Sequence, residues 1–216
     1  MKIAAIIVAA GSGKRFGSKK QFKFLGEKRV VELTVQKFLS IPEIKNIILV
    51  LPKEDIENVG LGFSPATKIK IVSGGKTRQH SFFNGLSVLS SDTDIVLIHD
   101  GVRPFVSEKI IKDSIVSAKK YGACVVAVPS KDTVKICKGG FVSSTPERRN
   151  IFLAQTPQAF KYSLIMKAYK KAFEKNYFST DDSALIEKLG KKIKIVSGDY
   201  RNIKITTKED IARKLL

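Results

Sequence analysis

Tryptophan is absent from this chain, and cysteine occurs only twice, at Cys124 and Cys137. Two thiols so placed supply neither a disulfide framework nor the spacing of a zinc site, and Cys124 falls in an apolar run that reads as core. A reduced, cytoplasmic protein is therefore expected. Long apolar runs are also missing. The longest are strand-sized, well short of the roughly 20 residues that span a bilayer, so no membrane association is expected. Met1-Lys2 leads straight into the first strand, and no signal peptide is expected. Acid is scarce: 20 Asp and Glu stand against 39 Lys and Arg, a formal charge of +19. Such a balance raises affinity for polyanions. The bases are nevertheless dispersed, with local pairs such as Lys119-Lys120, Lys170-Lys171 and Lys191-Lys192 on helix faces and turns. No basic stretch is interleaved with aromatics, and no nucleic-acid motif appears, so nucleic-acid binding is kept only as a remote alternative.

What remains is an ordinary globular composition, 43% hydrophobic and 27% charged, over 216 residues. That length suits one domain, 1–216, with a full core. Internal repeats and low-complexity linkers are absent. The chain is organised around its first strand and the loop after it. Ile3 to Val8 reads as a buried strand that breaks into Ala9-Ala10-Gly11-Ser12-Gly13, followed by the cations Lys14, Arg15 and Lys20. Small residues admit a ligand to the backbone, and successive N–H groups form a concavity for anionic oxygens. The loop is read as the seat of a nucleoside triphosphate. It is not a P-loop, because Gly11 is followed four residues on by Phe16 rather than by Gly-Lys. Nor does it suit NAD: Phe16 holds the third glycine position, and the second strand runs into Pro52-Lys53 without an acid.

Apolar strands then alternate with helical periods, the pattern of an α/β fold with a mostly parallel twisted sheet flanked by helices. Strands are predicted at 46–51, 69–72, 94–98, 123–128, 152–160, 193–196 and 202–205, and helices from Val30 to near Pro42 and at 76–89, 163–175 and 183–189. A further helix runs to Tyr121 with Ser107 as its N-cap, and Thr207 to Asp210 has capping-box spacing for a last one. Lys53 to Thr67 reads as a short helix and loop. The series is interrupted at 133–145, where alternation around Gly139-Gly140 predicts a projecting hairpin whose edge invites a partner.

In such a sheet, ligands sit beyond the carboxyl ends of the strands. Five of those ends are small, polar or charged: Ala9 to Arg15; Ser73-Gly74-Gly75-Lys76-Thr77-Arg78 with Ser81; His99-Asp100-Gly101-Val102-Arg103; Pro129 to Thr133; and Ser197 to Lys204. Asp100 is open to two readings, a turn-capping aspartate or a carboxylate near magnesium or a ribose hydroxyl. Arg103 suits either a second anion or an ion pair with Asp100. His99 ends a strand beside Asp100 and reads as a turn residue rather than a base, and His80, inside a helix, carries no signal. No nucleophile–base–orienter pattern appears, and phosphate chemistry does not require one.

With these residues in view, the chain resembles the 2-C-methyl-D-erythritol 4-phosphate cytidylyltransferase family over essentially its whole length. The resemblance rests on Ala9-Ala10-Gly11-x-Gly13-x-Arg15, Lys20-Gln21-Phe22, Gly74-Gly75-x-x-Arg78-x-x-Ser81 and His99-Asp100-x-x-Arg103-Pro104. It continues through Lys131-Asp132-Thr133, Gln155-Thr156-Pro157-Gln158, Thr180-Asp181-Asp182 and Asn202-Ile203-Lys204-Ile205-Thr206. It implies a single Rossmann-like nucleotidyltransferase domain with a dimerisation arm at about 132–152. It also implies transfer of CMP from CTP to 2-C-methyl-D-erythritol 4-phosphate with release of diphosphate, in non-mevalonate isoprenoid biosynthesis. By the same resemblance, Arg15 and Lys20 stabilise the reacting phosphorus, while Arg148 and Lys204 aim the attacking phosphate. Ala9, Ala10, Gly75 and Ser81 meet the cytosine, and Gly11, Asp100 and Gly101 lie near the ribose. Ser12, Gly13, Lys14, Gly74, Lys76 and Arg78 complete the nucleotide-binding set. Arg103, Thr133, Thr156 and Thr180 lie near the methylerythritol. Mg²⁺ bridges the triphosphate oxygens with Asp100 close by, directly or indirectly. Members are homodimers with interlocking arms, so Thr133 and Arg148 would serve the neighbouring subunit's site. Lys19 departs from the proline many members carry before Lys20. A D-ribitol-5-phosphate cytidylyltransferase is the alternative, but Ala9-Ala10-Gly11 and Thr180-Asp181-Asp182 favour the erythritol enzyme.

Overall fold

The computed structural model describes residues 1–13, 16–57, 60–63 and 68–212. Chain order within them is β1 (Ile3–Val8), β2 (Phe24–Leu25), β3 (Lys28–Arg29), α1 (Val30–Leu39), β4 (Ile44–Leu51), β5 (Ile69–Ser73) and α2 (Arg78–Ser87). Then follow β6 (Ile95–Asp100), α3 (Glu108–Tyr121), β7 (Ala123–Pro129), β8 (Ile136–Lys138), β9 (Phe141–Ser144) and β10 (Phe152–Lys161). The chain closes with α4 (Tyr162–Glu174), α5 (Ser183–Glu187), β11 (Lys194–Ser197) and α6 (Lys208–Ala212).

Seven strands form one sheet in the order β11-β7-β10-β6-β1-β4-β5. Every pairing in it is parallel except those of β10, which runs antiparallel to both β6 and β7. The mostly parallel sheet expected from the alternation, Rossmann-like as the resemblance implies, is therefore what forms. Side chains alternate across β1 as strand geometry requires. Ile3, Ala5 and Ile7 pack with α1 and α3 through Val31, Val35, Phe38 and Ile111. Ala4 and Ile6 pack on the other face with α2, α4 and α5 through Phe82, Leu86, Tyr169 and Ile186. Helices start where hydroxyls cap them: Thr77 accepts from His80 N, and Ser107 from Ile110 N.

The chain leaves β1 toward β4 and β5, then returns to place β6 on the opposite side of β1. This reversal opens a crevice between the carboxyl ends of β1 and β6. Local chemistry keeps the crevice open. Gly13 has φ +73, and a Cβ there would lie 1.8 Å from the Ser18 carbonyl oxygen. Alanine at this position therefore displaces the loop itself. Gly13→Ala is expected to raise KM for CTP by about tenfold or more, the equivalent of about 1.4 kcal/mol, because the loop is exposed and carries little of the core. Steady-state kinetics beside a thermal melt check both halves of that expectation.

The hairpin is present as β8 and β9, a separate two-stranded sheet turning on Gly139 and Gly140 at φ 58 and 84. Phe141 is 81% exposed on it. Two local readings need correction. Residues 202–205 are not a strand: Ile205 N donates to Val102 O at 2.9 Å, and Asn202 turns its side chain inward. The apolar alternation there arises because Ile205 plugs a small cluster with Phe16, Val30 and Val102. The helix after Thr180 ends at Glu187, short of Leu189; its start is held by the Asp181 carboxylate, which accepts from Ala184 N and Ser183 Oγ. Of the predicted segment Lys53 to Thr67, Lys53–Asp55 forms one 3-10 turn, and 58–59 and 64–67 lie outside the described residues.

Candidate active site

A cleft of about 460 Å³ occupies the crevice. One wall is the backbone of Ala9, Ala10, Gly11, Ser12 and Gly13, and the other is Gly75, Lys76, Arg78 and Ser81 at the start of α2. Asp100 forms part of its floor, and Lys20 and Lys204 reach it from separate loops. The structure thus gathers most of the predicted nucleotide set, together with two of the four predicted catalytic cations. Lys14 and Arg15 lie outside the described residues. Gly74 and Gly101 stand just behind the walls. Side chains at these two positions would strike Ala10 Cβ at 2.4 Å and Ala9 Cβ at 2.8 Å, so their lack of one lets the loops close on each other.

The first loop is braced from both sides. Gln21 is 2% exposed, and its Nε2 donates to Gly11 O at 2.9 Å. Lys19 Nζ reaches Glu54 at 2.9 Å and Asp55 at 2.6 Å, tying the loop to the 3-10 turn after β4. Both carboxylates raise the Lys19 pKa. On the α2 side, Ser81 Oγ accepts from Gly75 N at 3.0 Å and so shapes the turn in front of the helix.

Asp100 is the electrostatic centre. Its Oδ2 lies 3.0 Å from Lys204 Nζ and 3.3 Å from Arg103 Nε. Burial disfavours its charge, but Lys204, Arg78 and Arg103 outweigh burial and hold the carboxyl well below the usual carboxylate range. Of the readings made from the residues, the ion pair between Arg103 and Asp100 is the one that forms, at the cleft floor. Arg103 is largely buried, and its guanidinium also donates to Asn202 O at 2.8 Å, which straps the loop before Lys204 onto the loop after β6.

Arg78 turns its guanidinium onto Asp182 at 2.6 Å and lies 4.4 Å over the Phe82 ring. Tyr169 Oη donates to the same carboxylate. Burial opposes charge on Arg78, yet Asp182 and Asp100 more than offset it and keep the guanidinium charged. Thr156 is buried, with its Oγ1 accepting from Asp100 N at 3.1 Å. Thr180 is exposed beside Asp181. Thr133 and Arg148 lie at the exposed arm, where Arg148 donates to Lys131 O at 3.3 Å.

His99 corrects a sequence reading. It is the penultimate residue of β6 rather than a turn residue, is 0% exposed, and burial pushes its pKa down to about 4. Asp182, Tyr169 and Asn202 also escaped functional assignment from the sequence; for Asp182 and Asn202, the only signal was membership of the Thr180-Asp181-Asp182 and Asn202-Ile203-Lys204 strings. Among the described residues no three or more His, Cys, Asp or Glu gather as a metal cage. A lone ionised carboxylate fits an ion such as Mg²⁺, which takes most of its ligands from phosphate and water. Among the described residues no helix is long and apolar enough to cross a membrane.

Comparison with known proteins agrees with this geometry. The family model for 2-C-methyl-D-erythritol 4-phosphate cytidylyltransferase matches residues 3–214. A protein of that name from Clostridioides difficile is 47% identical over 214 residues, covering 96% of this chain and 90% of the relative. One from Caldanaerobacter subterraneus is 44% identical over 218 residues, covering 98% and 96%. The crystal structure of 4-diphosphocytidyl-2C-methyl-D-erythritol synthase from Anaerococcus prevotii superposes with a TM-score of 0.87 at 41% identity, covering 98% of this chain and 95% of that one.

Proposed function

Because this chain belongs to the 2-C-methyl-D-erythritol 4-phosphate cytidylyltransferase family, we propose that its cleft works by bringing two anions together and neutralising them. The enzyme transfers CMP from CTP to 2-C-methyl-D-erythritol 4-phosphate in isoprenoid biosynthesis. CTP lies along the Ala9–Gly13 wall, with its base toward Gly75 and Ser81 and its ribose toward Gly11, Asp100 and Gly101. Lys20, with Arg15, neutralises the α-phosphorus as it becomes crowded. Lys204, with Arg148, aims the acceptor's phosphate oxygen at it. That oxygen forms the new bond to the α-phosphorus, the bond to the bridging oxygen breaks, and diphosphate leaves with the electron pair. The attacking phosphate is already ionised, so no side chain need remove a proton, and catalysis is positioning and charge stabilisation. Asp100 is the residue to stand beside Mg²⁺, which when bound supplies charge neutralisation at the triphosphate oxygens. Arg103, Thr133 and Thr180 surround the methylerythritol, and Thr156 acts on it from behind Asp100.

The observation that carries this reading is the convergence of Lys20, Lys204 and Asp100 on one cleft walled by the first loop. The two free cysteines support a reduced, cytoplasmic setting, and the arm supports a homodimer. Ile136, Phe141 and Val142 are 51%, 81% and 59% exposed on it, an apolar surface that a second copy would cover. The dispersed lysines support no nucleic-acid partner. Incubation with CTP, Mg²⁺ and either 2-C-methyl-D-erythritol 4-phosphate or D-ribitol 5-phosphate tests the substrate. Diphosphate is expected only with the first; release only with the second would replace the acceptor.

A further inference from the structure

Behind the cleft floor runs a buried chain of hydrogen bonds that the roles above leave unused. His99 Nε2 is 3.2 Å from Arg103 O. Its Nδ1 is 3.0 Å from Thr156 Oγ1, the same oxygen that accepts from Asp100 N at 3.1 Å. The chemistry of the ends sets the order of protons. A carbonyl oxygen only accepts, so Nε2 carries the ring proton. Nδ1 of the neutral ring then accepts, and the Thr156 hydroxyl donates to it. A lone pair of that hydroxyl remains for the Asp100 N–H. The imidazole packs against the Phe38 ring, with centroids 4.8 Å apart and planes tilted by 54°.

One imidazole and one hydroxyl thereby hold both backbone ends of the Asp100–Arg103 turn, which Arg103 N closes onto Asp100 O at 3.1 Å. The side chains of the same two residues carry Lys204 and Asn202. Asn202 Nδ2 returns to Thr156 O at 2.9 Å, closing the circuit. We propose that His99 is a positioning residue for the transfer. Through Thr156 and the Arg103 carbonyl it sets the turn that places Asp100, Arg103 and, by way of Asp100, Lys204. It touches neither substrate. This role deepens the proposed function and rests on its assignment of Arg103 and Lys204 to the acceptor.

Three substitutions separate the arms of the relay. In His99→Asn an amide oxygen near the old Nδ1 keeps the Thr156 arm. In His99→Gln an amide nitrogen near the old Nε2 keeps the Arg103 arm. His99→Leu keeps neither. His99→Leu is expected to raise KM for 2-C-methyl-D-erythritol 4-phosphate about tenfold and KM for CTP by less, about threefold, because Arg103 and Lys204 both serve the acceptor, whereas the Ala9–Gly13 wall and Gly75, which the relay does not touch, still hold the nucleotide beside Asp100. The Asn and Gln variants should fall between it and the wild type. The losses in kcat/KM from His99→Leu and Thr156→Val should be strongly sub-additive, because both cut one chain. Long-range proton–nitrogen spectra of the wild type should show the ring proton on Nε2. Equal rises in both KM values, tracking a fall in Tm across all three variants, would mean that His99 merely packs the core; additive losses, or a proton on Nδ1, would also overturn the relay. If His99→Leu fails to fold, the Asn and Gln variants still give the KM split. An active wild type with kinetically silent His99 variants sinks this role alone. A wild type inactive on CTP and the acceptor sinks the underlying assignment, and this role with it.

Discussion

Lys204→Ala is expected to lower kcat, with both substrates saturating, by roughly 10²–10³, the range seen when one preorganised donor to a transition state is removed. Two features make the expected loss large. Lys204 Nζ already sits 3.0 Å from Asp100 Oδ2 on the cleft floor, so its charge is placed before substrate arrives. The attacking group is itself an anion approaching a triphosphate, and little else in the described cleft offsets that repulsion besides Lys20 and Lys76. Arg78 is occupied by Asp182, and Arg103 by Asp100 and Asn202. Lys204→Arg keeps the charge at a longer reach and should recover part of the rate. Asp100 retains Arg103 in the alanine variant, so Tm should shift little. The measurement is steady-state release of diphosphate with a melt in parallel. A fall in kcat below about tenfold would reassign Lys204 to substrate binding alone.

The second large effect concerns the arm. Arg148 lies exposed on the 3-10 turn Arg148–Asn150, with its side chain on Lys131 O, while Lys204 lines the cleft. If two copies interlock through the exposed Ile136, Phe141 and Val142 of the arm, Arg148 enters the neighbour's site. Arg148→Ala and Lys204→Ala should each be nearly inactive alone. Mixed in equal amounts and allowed to exchange subunits, they should regain about a quarter of wild-type activity. Half of a randomly reassorted twofold dimer population is mixed, and each mixed dimer has one intact site. Mass measurement of the mixed species establishes exchange. No recovery after exchange would place Arg148 in the site of its own subunit.

The legibility of these features follows the range of the interactions involved. The hairpin at Gly139-Gly140 was readable because its turn chemistry is local, and the start of α3 because Ser107 caps it three residues on at Ile110 N. The first loop was readable because small residues following an apolar strand have few other uses. His99 was misread because its surroundings belong to β10 and α1: Thr156 is 57 positions away, and the Phe38 ring comes from α1, packed on the sheet face that also holds Ile95 and Leu97. A still longer separation hid the commitment of Arg78, whose partner Asp182 is 104 positions along the chain. Residues 202–205 misled for the opposite reason. Their alternation is real, but it serves a strap across Val102 rather than a sheet ladder.

Sequence alone thus determined the α/β class, the small-residue loop after β1, the projecting arm and the family. All of these reside in contiguous strings whose backbone preferences and side-chain chemistry act over a few residues. Tertiary structure decided which strings meet. It set β6 rather than β5 against β1, which brought Asp100 beneath the first loop, and it settled which cations face the cleft and which are bound elsewhere. The physical reason is that a charge's role depends on the nearest opposite charge in space, and sheet order brings together partners that chain order keeps up to 104 residues apart.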